Sequence, residues 1–444
     1  MAMNYVWIFF FGVSLLLGVI KFLCYFFNRN EKNFQPFFEI GEKKITYADP
    51  HVFESIVQST FDMSVTGFEI AIGLTGVLTL WMGLMKIGEK GGAIKVITWI
   101  VKPFFLRLFP ELPKNHPVFG SIMMNFSANM LGLDNAATPA GLKAMEGLQE
   151  LNKEKEKASN SQIMFLVLNT SGLTLIPVSV LTVRAQQFAE LGVKANPANV
   201  FIPILIATFI ASLVGVLVTA AFQKIKLKDW IIWAYIGGTI AIISGFIYWI
   251  TGREPESIEF ISNSLASVIL FGFIILFIGL ALKNKVNVYE AFIEGAKGGF
   301  QTAIKIIPFL IAILVAIGVF RASGGMDFIM ACINYIVVGL NNLFGLTIDT
   351  QFIEALPTAI MKPLSGSGAR GMMVDAMNTH GPNSFIGNLA CTLQGSTDTT
   401  FYILAVYFGS VGIKNTRNAL GLGLIADLAG IIAAILIGYI FYAY

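Results

Sequence analysis

Two six-residue segments carry the same arrangement of polar side chains inside otherwise apolar sequence. Asn169-Thr170-Ser171-Gly172-Leu173-Thr174 and Gln394-Gly395-Ser396-Thr397-Asp398-Thr399 both follow the order amide, any residue, Ser, two residues, Thr. Amides and hydroxyls at a helix break can bind a small polar solute, or they can cap and join helices. We expect the first role, with both segments lining one site. The candidate solute-binding residues in them are Asn169, Thr170, Ser171, Thr174, Gln394, Ser396, Thr397, Asp398 and Thr399.

Two further segments, Pro117–Met145 and Phe352–Met377, are too polar for plain membrane helices and too apolar for exposed loops. Backbone groups left unsatisfied in hydrocarbon are costly, so such segments must be buried in protein or line a cavity. We predict that each forms a helical hairpin that enters the membrane part-way, with tips near Asp134–Pro139 and Lys362–Gly371. Their candidate binding residues are Asn135, Thr138, Ser365, Gly366, Ser367 and Arg370.

Arg370 indicates what kind of solute such a site would hold. A guanidinium group can bind a carboxylate or phosphate through two hydrogen bonds, and the hairpin tips would add helix N-termini, which attract anionic groups. The structural alternative is that Arg370 and Asp375 form an ion pair and that the Asn and Ser residues only cap helices. Asp427, in the last apolar span, is either a packing partner or a proton or ion relay. The residues expected only to solvate the membrane interface are Glu89, Lys90, Glu111 and Lys114.

The composition places these segments in a membrane protein. Hydrophobic residues make up 55% of the 444-residue chain and charged residues 13%, with a mean hydropathy of +0.72. Soluble domains carry about 25% charged residues. A net charge of +3 offers no basic field for nucleic acid. The cysteines and histidines are dispersed, so neither a disulfide framework nor a zinc or haem site is expected.

A series of apolar segments is long enough to be interpreted as membrane spans. They are Asn4–Phe27, Gly67–Ile87, Ser161–Val183, Val200–Phe222, Trp230–Ile250, Ile261–Leu282, Ile304–Arg321, Phe328–Phe344, Asp398–Ile413 and Leu420–Phe441. In Gly88–Leu108 basic and apolar residues interleave, which predicts an amphipathic helix lying in the membrane interface.

The same order of features recurs in the two halves of the chain. Each half has a long apolar stretch, a polar hairpin, a polar six-residue segment and a closing span, and an odd number of crossings separates equivalent points. We therefore predict an all-α, transporter-like membrane protein of two inverted repeats with re-entrant helical hairpins and broken helices. The predicted units are an N-terminal helix and polar connection (1–50), the first repeat (51–228), linking helices (229–288) and the second repeat (289–444).

Several motifs also carry a family resemblance. They are Trp81-Met82-Gly83-Leu84-Met85-Lys86-Ile87, Phe109-Pro110-Glu111, Asp134-Asn135-Ala136-Ala137-Thr138-Pro139 and Asn169-Thr170-Ser171 in the first half, and Lys362-Pro363-Leu364-Ser365-Gly366-Ser367, Gly381-Pro382-Asn383-Ser384-Phe385-Ile386-Gly387 and Gln394-Gly395-Ser396-Thr397-Asp398-Thr399-Thr400 in the second. On these motifs Gly67–Phe222 resembles bacterial spore maturation protein A, and Tyr289–Ile440 resembles spore maturation protein B. The chain thus looks like a fusion of the two.

The resemblance implies membership of the nucleoside-recognition, or gate-domain, superfamily. Concentrative nucleoside transporters and the membrane part of ferrous-iron transporter B share that superfamily, so the resemblance implies a transporter-like, multi-pass protein of the bacterial inner membrane. No binding residue is carried over from the nucleoside transporters, because none of their motifs matches here residue by residue.

Three functions are compatible with these features. The first is a secondary transporter for a small polar solute, nucleoside-like or an organic anion, driven by a Na⁺ or H⁺ gradient and without a cofactor. The second is a non-transporting membrane scaffold or sensor with the same fold. The third, an intramembrane enzyme, is disfavoured because no His-Glu-x-x-His, nucleophile elbow or catalytic triad motif occurs. The expected partners are the solute and the lipid bilayer, not nucleic acid, and the oligomeric state, a homo-oligomer included, is left open.

Overall fold

The computed structural model describes residues 2–31, 34–40, 43–113, 116–225, 229–250, 252–345 and 349–442. Within these ranges the chain is helical apart from one antiparallel hairpin of β1 (Phe37–Ile40) and β2 (Lys43–Thr46). The α-helices are α1 (Ala2–Asn28), α2 (Val52–Gly91), α3 (Ala93–Leu108), α4 (Val118–Met130), α5 (Asp134–Leu151), α6 (Asn160–Thr170), α7 (Val178–Glu190), α8 (Phe201–Phe222), α9 (Trp230–Ile250), α10 (Pro255–Lys283), α11 (Val288–Ala322), α12 (Gly325–Phe344), α13 (Leu356–Met361), α14 (Gly366–His380), α15 (Phe385–Gly395), α16 (Thr400–Ser410) and α17 (Ala419–Phe441). Short 3-10 helices at Pro197–Val200 and Gln351–Ala355 precede α8 and α13.

Among the described residues, seven helices are long and apolar enough to cross a membrane. These spans are Trp7–Asn28, Val52–Gly91, Pro197–Phe222, Trp230–Ile250, Glu256–Lys283, Gly325–Leu343 and Ala419–Phe441. A spanning helix needs about 20 mostly apolar residues, and each of these segments meets that length or comes close to it. The prediction of a multi-pass helical membrane protein is confirmed.

Two of the predicted spans are not continuous helices, and both are interrupted at the polar motifs that predicted broken helices. Ser161–Val183 is divided between α6 and α7, and the helix within Asp398–Ile413 is only the 11-residue α16. In both segments the backbone leaves the helix at the polar motif, next to Gly172 in one case and Asp398 in the other. Hydropathy averaged over a window does not register such a break, because the flanking residues on both sides are apolar.

The order of elements in the first half recurs in the second. α2 and α11 are long helices, each followed by a separate helix, α3 or α12. A helical hairpin comes next, formed by α4 and α5 in one half and by α13 and α14 in the other. The interrupted pair α6–α7 corresponds to α15–α16, and α8 and α17 close the two halves, with α9 and α10 connecting them.

The long helices α2 and α11 run antiparallel and pack along most of their lengths. Gly83 near the end of α2 faces Phe292 near the start of α11, whereas Gly318 near the end of α11 faces Met63. Glycines bring the two backbones close: a Cβ added at Gly299 would lie 2.7 Å from the Thr79 Cα. Small residues allow such approach between membrane helices, where packing and not hydrophobic burial drives association.

The closing helices α8 and α17 also run antiparallel, and their contact is reciprocal. A Cβ added at Gly215 of α8 would lie 3.1 Å from the Ala426 Cβ, and one added at Gly430 of α17 would lie 3.1 Å from the Ala211 Cβ. Each glycine also faces the broken helix of its own half, Gly215 facing Val167 and Gly430 facing Thr397. These two helices therefore hold both interruptions together from behind.

Both predicted hairpins exist as helix pairs. The tip of the first lies earlier in the chain than expected, whereas the tip of the second lies at the start of the predicted segment Lys362–Gly371. The first turn is at 131–133, with Gly132 at φ 69°, so the segment Asp134–Pro139 begins α5. The second turn is at 362–365, before α14. The amphipathic helix predicted over Gly88–Leu108 begins later, at Ala93, because Gly92 adopts φ 87° and ends α2.

A charged contact outside the apolar spans ties α3 to the start of α9. The Arg107 Nε donates to the Asp229 carboxylate at 2.6 Å, and this hydrogen bond holds the pKa of Asp229 below its usual value. Both groups are partly exposed, so the pair fixes geometry more than it adds stability.

Neighbouring glycines on α11 provide a test of the α2–α11 packing. We expect Gly299→Ala to destabilise the protein by about 1–3 kcal/mol, because overpacking a tight contact forces backbone shifts, and the new methyl would meet the Thr79 backbone. Gly298→Ala is the control, since its nearest neighbour is the Met82 Cε at 3.9 Å. The measurement is thermal unfolding in detergent, and equal midpoints for the two variants would contradict this packing.

Candidate functional site

The two interruptions of the helices meet at the centre of the fold. α6 ends at Thr170 and α7 begins at Val178, while α15 ends at Gly395 and α16 begins at Thr400. The Thr170 carbonyl accepts the backbone N–H of Asp398 at 2.8 Å. We call 171–177 the first break and 396–399 the second break. The prediction that the two polar motifs come together is confirmed, and a backbone hydrogen bond joins them.

Gly172 makes this meeting sterically feasible. It adopts φ 60°, which L side chains rarely reach. A Cβ at this position would lie 3.0 Å from the Asp398 backbone nitrogen. Both the turn and the close approach therefore require glycine at 172.

Several motif side chains satisfy the backbone of their own helix ends. The Ser171 and Ser396 hydroxyls donate to the carbonyls three residues earlier, Leu168 at 3.3 Å and Leu393 at 2.9 Å. Thr170 donates to Val167 at 3.1 Å. The last carbonyls of a helix have no intrahelical partner, so these hydroxyls stabilise the breaks themselves.

A cavity of about 680 Å³ lies beside the two breaks. Residues from both halves line it, including α2 and α11 along one side and the two hairpins along another. Of the predicted binding residues, those that line the cavity are Thr138, Asn169, Thr174, Gly366, Arg370, Gln394, Thr397 and Asp398.

The remaining predicted residues whose side chains the structure describes do not line this cavity. Thr170, Ser171 and Ser396 make the helix-end hydrogen bonds described above, and Thr399 is the N-cap residue of α16. Ser365 caps α14 by accepting the Gly368 N–H at 3.0 Å, and it contacts the Ser367 hydroxyl at 3.2 Å. The side chain of Asn135 falls outside the described part of the chain.

An amide and hydroxyl network connects the first hairpin to the far half of the chain. The Asn129 Nδ2 donates to the Asn169 Oδ1 at 2.9 Å, and the Tyr407 hydroxyl donates to the same oxygen at 3.4 Å. Asn125 in turn donates to the Tyr407 oxygen at 3.2 Å and to the Ala137 carbonyl at 2.9 Å. Asn169 is therefore held by partners on α4 and α16, and its position depends on both halves.

Helix N-termini surround the cavity. The lining includes Leu133, the N-cap residue of α5, and residues from the first turns of α7, α14 and α16, among them Ser179, Gly366 and Tyr402. The N-cap residues of α7 and α16 make no capping hydrogen bond through their side chains. Free N–H groups and the helix dipole at such ends favour negative charge.

Comparison with known proteins finds relatives of both halves of the chain. Residues 71–186 match the Gate domain described as nucleoside recognition. The chain is 45% identical over 184 residues to spore maturation protein B of Bacillus subtilis (strain 168), covering 41% of this chain and 95% of that relative. It is 37% identical over 175 residues to spore maturation protein A of the same organism, covering 39% of this chain and 87% of that relative.

The chain belongs to the spore maturation protein A and B family. The two relatives match different halves, as expected for a fusion, and the predicted resemblance is confirmed. No solved structure matches the chain.

Charged residues line the cavity in two groups. Lys362 and Arg370 lie on the second hairpin, with Lys362 buried, whereas the Asp398 side chain is exposed. The other group contains Lys86, Glu89 and Glu294. Lys86 Nζ lies 3.2 Å from Glu89 Oε2 and 3.5 Å from Glu294 Oε1.

Sequence reasoning missed this second charged cluster. Glu89 and Lys90 were expected only to solvate an interface, yet Glu89 lines the cavity and Lys90 pairs with Glu294 across the α2–α11 contact. Glu294 lies more than 200 residues from Lys86 in sequence. The one available signal was that Lys86-Ile87-Gly88-Glu89-Lys90 puts several charges at the end of a long apolar helix.

The alternative ion pair of Arg370 with Asp375 is wrong. Asp375 pairs with Arg321, at the C-terminal end of α11. Arg370 instead lines the cavity from α14. The spacing along α14 explains the difference, because residues five apart on a helix point to different faces.

Gln394 offers the cavity an open hydrogen-bond acceptor. Its Nε2 donates to the Gly366 carbonyl at 3.3 Å, while its Oε1 is buried without a partner among the described residues. The hydroxyl of Thr182, another lining residue, is also buried without a hydrogen-bond partner among the described residues. Buried polar atoms are nearly always hydrogen-bonded, so these two groups point to a bound solute or ordered water.

Arg184 is a further residue that sequence reasoning missed, and it fastens the two halves together. It is fully buried on α7 and donates to the Pro382 carbonyl, to Asn199 Oδ1 at 2.9 Å and to Asn388 Oδ1. Its guanidinium lies 4.5 Å from the centre of the Phe188 ring. Amide dipoles and a ring face, from both halves, thus solvate this charge.

Gly172 and Gly192 both adopt a left-handed backbone, but only Gly172 also contacts the second break. Comparing them separates the loss of stability caused by the backbone conformation from the loss caused by the close contact. Gly172→Ala and Gly192→Ala should each lose about 1 kcal/mol, because both positions have a positive φ. Gly172→Ala should lose a further 1–3 kcal/mol, roughly, from overpacking against the second break, whereas nothing lies within 4 Å of a Cβ at Gly192. Chemical unfolding of the purified variants measures both. Equal losses would show that the breaks do not touch.

Proposed function

We propose that this multi-pass membrane protein binds and translocates a small polar solute with an anionic group, either a nucleoside-like compound or an organic anion. The observation that carries the proposal is the meeting of two helix breaks beside a cavity of about 680 Å³ lined by residues of both halves. Pockets for small ligands are typically about 300–1,000 Å³. A compound of that class fits the available volume.

Antiparallel pairing of equivalent helices supports an inverted repeat. α2 and α11 occupy equivalent places in the element order and run in opposite directions, as do α8 and α17. A two-fold axis in the membrane plane would relate the halves in this way. Transporters built on such repeats place solute sites near the midplane, at the ends of discontinuous helices.

The lengths of the hairpin helices support re-entrant segments. α4 has 13 residues, α5 has 18, α13 has 6 and α14 has 15, and a helix needs about 20 to span. The hairpins would therefore enter the membrane from one side and return to it. Backbone at their turns is tolerated there because it borders a cavity and not lipid.

The distribution of charge supports an anionic group on the solute. Lys362 and Arg370 line the cavity together with the N-terminal ends of four helices, α5, α7, α14 and α16, in the described chain. Arg370 can bind a carboxylate or phosphate bidentately. Asp398 and the acceptor oxygen of Gln394 would receive donors elsewhere on the solute, such as hydroxyl or amine groups.

A charged cluster at one end of the cavity supports controlled access. Glu294 is 53% exposed while Lys86 is 26% exposed, so the cavity extends from the breaks towards solvent at this end. The pair of Arg321 and Asp375 lies at the opposite end of α11. We propose that these two sets of ion pairs open in turn, in the bacterial inner membrane, and that the protein performs no catalysis.

Uptake into proteoliposomes tests the proposal. A panel of radiolabelled nucleosides, mono- and dicarboxylates and amino acids should include at least one solute with saturable uptake that responds to an imposed Na⁺ or H⁺ gradient. Arg370→Ala and Asn169→Ala should reduce that uptake at least tenfold. A tenfold loss corresponds to about 1.4 kcal/mol, which is less than one charge-assisted hydrogen bond contributes.

Arg253→Ala is the matched control for the arginine variant. Arg253 stacks over the Trp249 ring at 4.4 Å, outside the cavity, so its uptake should equal that of the native protein. Saturable binding of a panel member without uptake would favour the scaffold or sensor instead. No binding and no uptake across the panel would contradict both.

A further inference from the structure

Asp427 is a buried carboxyl group directly behind the second break. It lies on α17 and is 2% exposed. Its Oδ2 accepts the Thr400 hydroxyl at 2.7 Å, and its Oδ1 is buried with no hydrogen-bond partner in the described chain. Thr397 is close enough to act on the carboxyl group and also lines the cavity. Asp427 is thus one side chain away from the cavity.

The position of Asp427 has an equivalent in the first half, where the residue is uncharged. Ala211-Ser212-Leu213-Val214-Gly215 on α8 corresponds to Ala426-Asp427-Leu428-Ala429-Gly430 on α17, because each alanine packs on the other segment's glycine. Ser212 donates to the carbonyl of Ser171 in the first break at 3.4 Å. A hydroxyl on the closing helix is therefore sufficient to hydrogen-bond the backbone of a break. Packing alone does not account for a carboxyl group at the equivalent position.

We infer that Asp427 is a proton-binding site that couples a proton to solute binding in the cavity. This inference rests on the proposed function. The Asp427 carboxylate takes up one proton from a hydronium ion in the cavity by way of the Thr397 hydroxyl, which lies between them. An O–H bond forms at the buried Oδ1, one O–H bond of the hydronium breaks, and a water molecule is left. The Thr400 hydroxyl continues to donate to Oδ2 in both states, because a protonated carboxyl group keeps one acceptor oxygen.

The charged neighbours of Asp427 define how the coupling would work. Lys362, from the turn before α14, and Asp398, from the second break, both act on it. The helices α6, α8 and α15, which pack on α17, contain no Asp, Glu, Lys, Arg or His, and α16 adds Tyr402 and Tyr407. Two further helices contact α17 in the described chain. α9, whose Phe246 ring lies near Phe441, contains no Asp, Glu, Lys, Arg or His, and the charged residues of α10 lie near its ends, at Glu256, Glu259 and Lys283.

Lys362 links the carboxyl group to the solute. It lines the cavity and also faces Asp427 electrostatically. While Asp427 is ionised, its negative charge partly cancels the positive electrostatic potential that Lys362 produces in the cavity. Once Asp427 is protonated, the Lys362 charge acts on the cavity with less compensation, so an anion there binds more tightly. Proton and anion would then bind together, which is the requirement for symport.

A proton suits this position better than a metal ion. The described residues contain no group of three or more His, Cys, Asp or Glu side chains that could hold a metal. Asp427 has the Thr400 hydroxyl as a donor on one oxygen, and its other oxygen has no hydrogen-bond partner among the described residues. A proton adds to one such oxygen, whereas cations such as Ca²⁺ or Mg²⁺ require roughly six or more oxygen ligands.

Infrared difference spectroscopy on the full-length protein in nanodiscs tests the site without any solute. A pH titration should reveal a carbonyl-stretch band of a protonated carboxylic acid that disappears as the pH rises. The band should be missing from Asp427→Asn and should persist in Asp62→Asn, which removes an exposed carboxyl group on α2. Because no transport is measured, the result stands apart from the uptake experiment.

A second pair of variants guards against misfolding of Asp427→Asn. The Thr400 hydroxyl stabilises the ionised carboxylate by donating to Oδ2. Thr400→Val removes this donor, so the band of the protonated acid should persist to higher pH. Ser212→Ala alters the equivalent position on α8 and should leave the titration unchanged. A native spectrum in Asp427→Asn, an unmoved titration in Thr400→Val, or a band that responds to Na⁺ at constant pH would each overturn the assignment.

Discussion

The structure depends on one constraint, that backbone groups freed by a helix break inside a membrane protein must find partners within the protein. The hydrogen bond from the Asp398 N–H to the Thr170 carbonyl meets this need for both breaks at once. Hydroxyls of the same motifs bind the remaining carbonyls, as Ser171 and Ser396 do. In hydrocarbon an unmet group costs several kcal/mol, roughly. Breaking two helices in one place, against each other, is therefore less costly than breaking either alone.

Close packing around the breaks follows from this constraint. Gly215 and Gly430 let α8 and α17 approach each other and the breaks, and the glycines of α2 and α11 bring the two long helices together on the other side. Arg184 adds a buried charge that draws carbonyl and amide groups of the second half towards α7. Burying that charge is acceptable only because several dipoles surround it. The cavity is the space that these contacts leave between the halves.

The same arrangement separates structural polar groups from those available to a solute. Ser171, Ser365 and Ser396 use their hydroxyls on neighbouring backbone groups. Gln394, Thr182 and Asp427 each keep an oxygen without a hydrogen-bond partner in the described chain. A polar residue in a membrane span is a candidate for function by default, but the hydrogen-bond partners decide which candidates remain. Here they favour Gln394 and Asp427 in the second half and Thr182 in the first.

The sequence by itself determined the membrane class, the family and the positions at which helices are interrupted. These properties depend on local composition: apolar runs set the spans, and Gly172, Pro177 and the Ser and Thr residues around them set the breaks. Motif similarity between the halves also predicted that both breaks share one place. The first hairpin tip was misplaced by a few residues, because the residues that make its turn are less conspicuous than the polar ones that follow.

Only the tertiary structure decided which polar side chains face the cavity. Of two neighbours such as Asn169 and Thr170, one lines it and the other does not, because successive residues on a helix point about 100° apart. The charged cluster of Lys86, Glu89 and Glu294 arises from antiparallel docking of α2 on α11. No local pattern encodes that docking, since it depends on which glycine faces meet. The same holds for Asp427. Its hydrogen bond from Thr400, and the oxygen without a hydrogen-bond partner in the described chain, are consequences of packing against the second break.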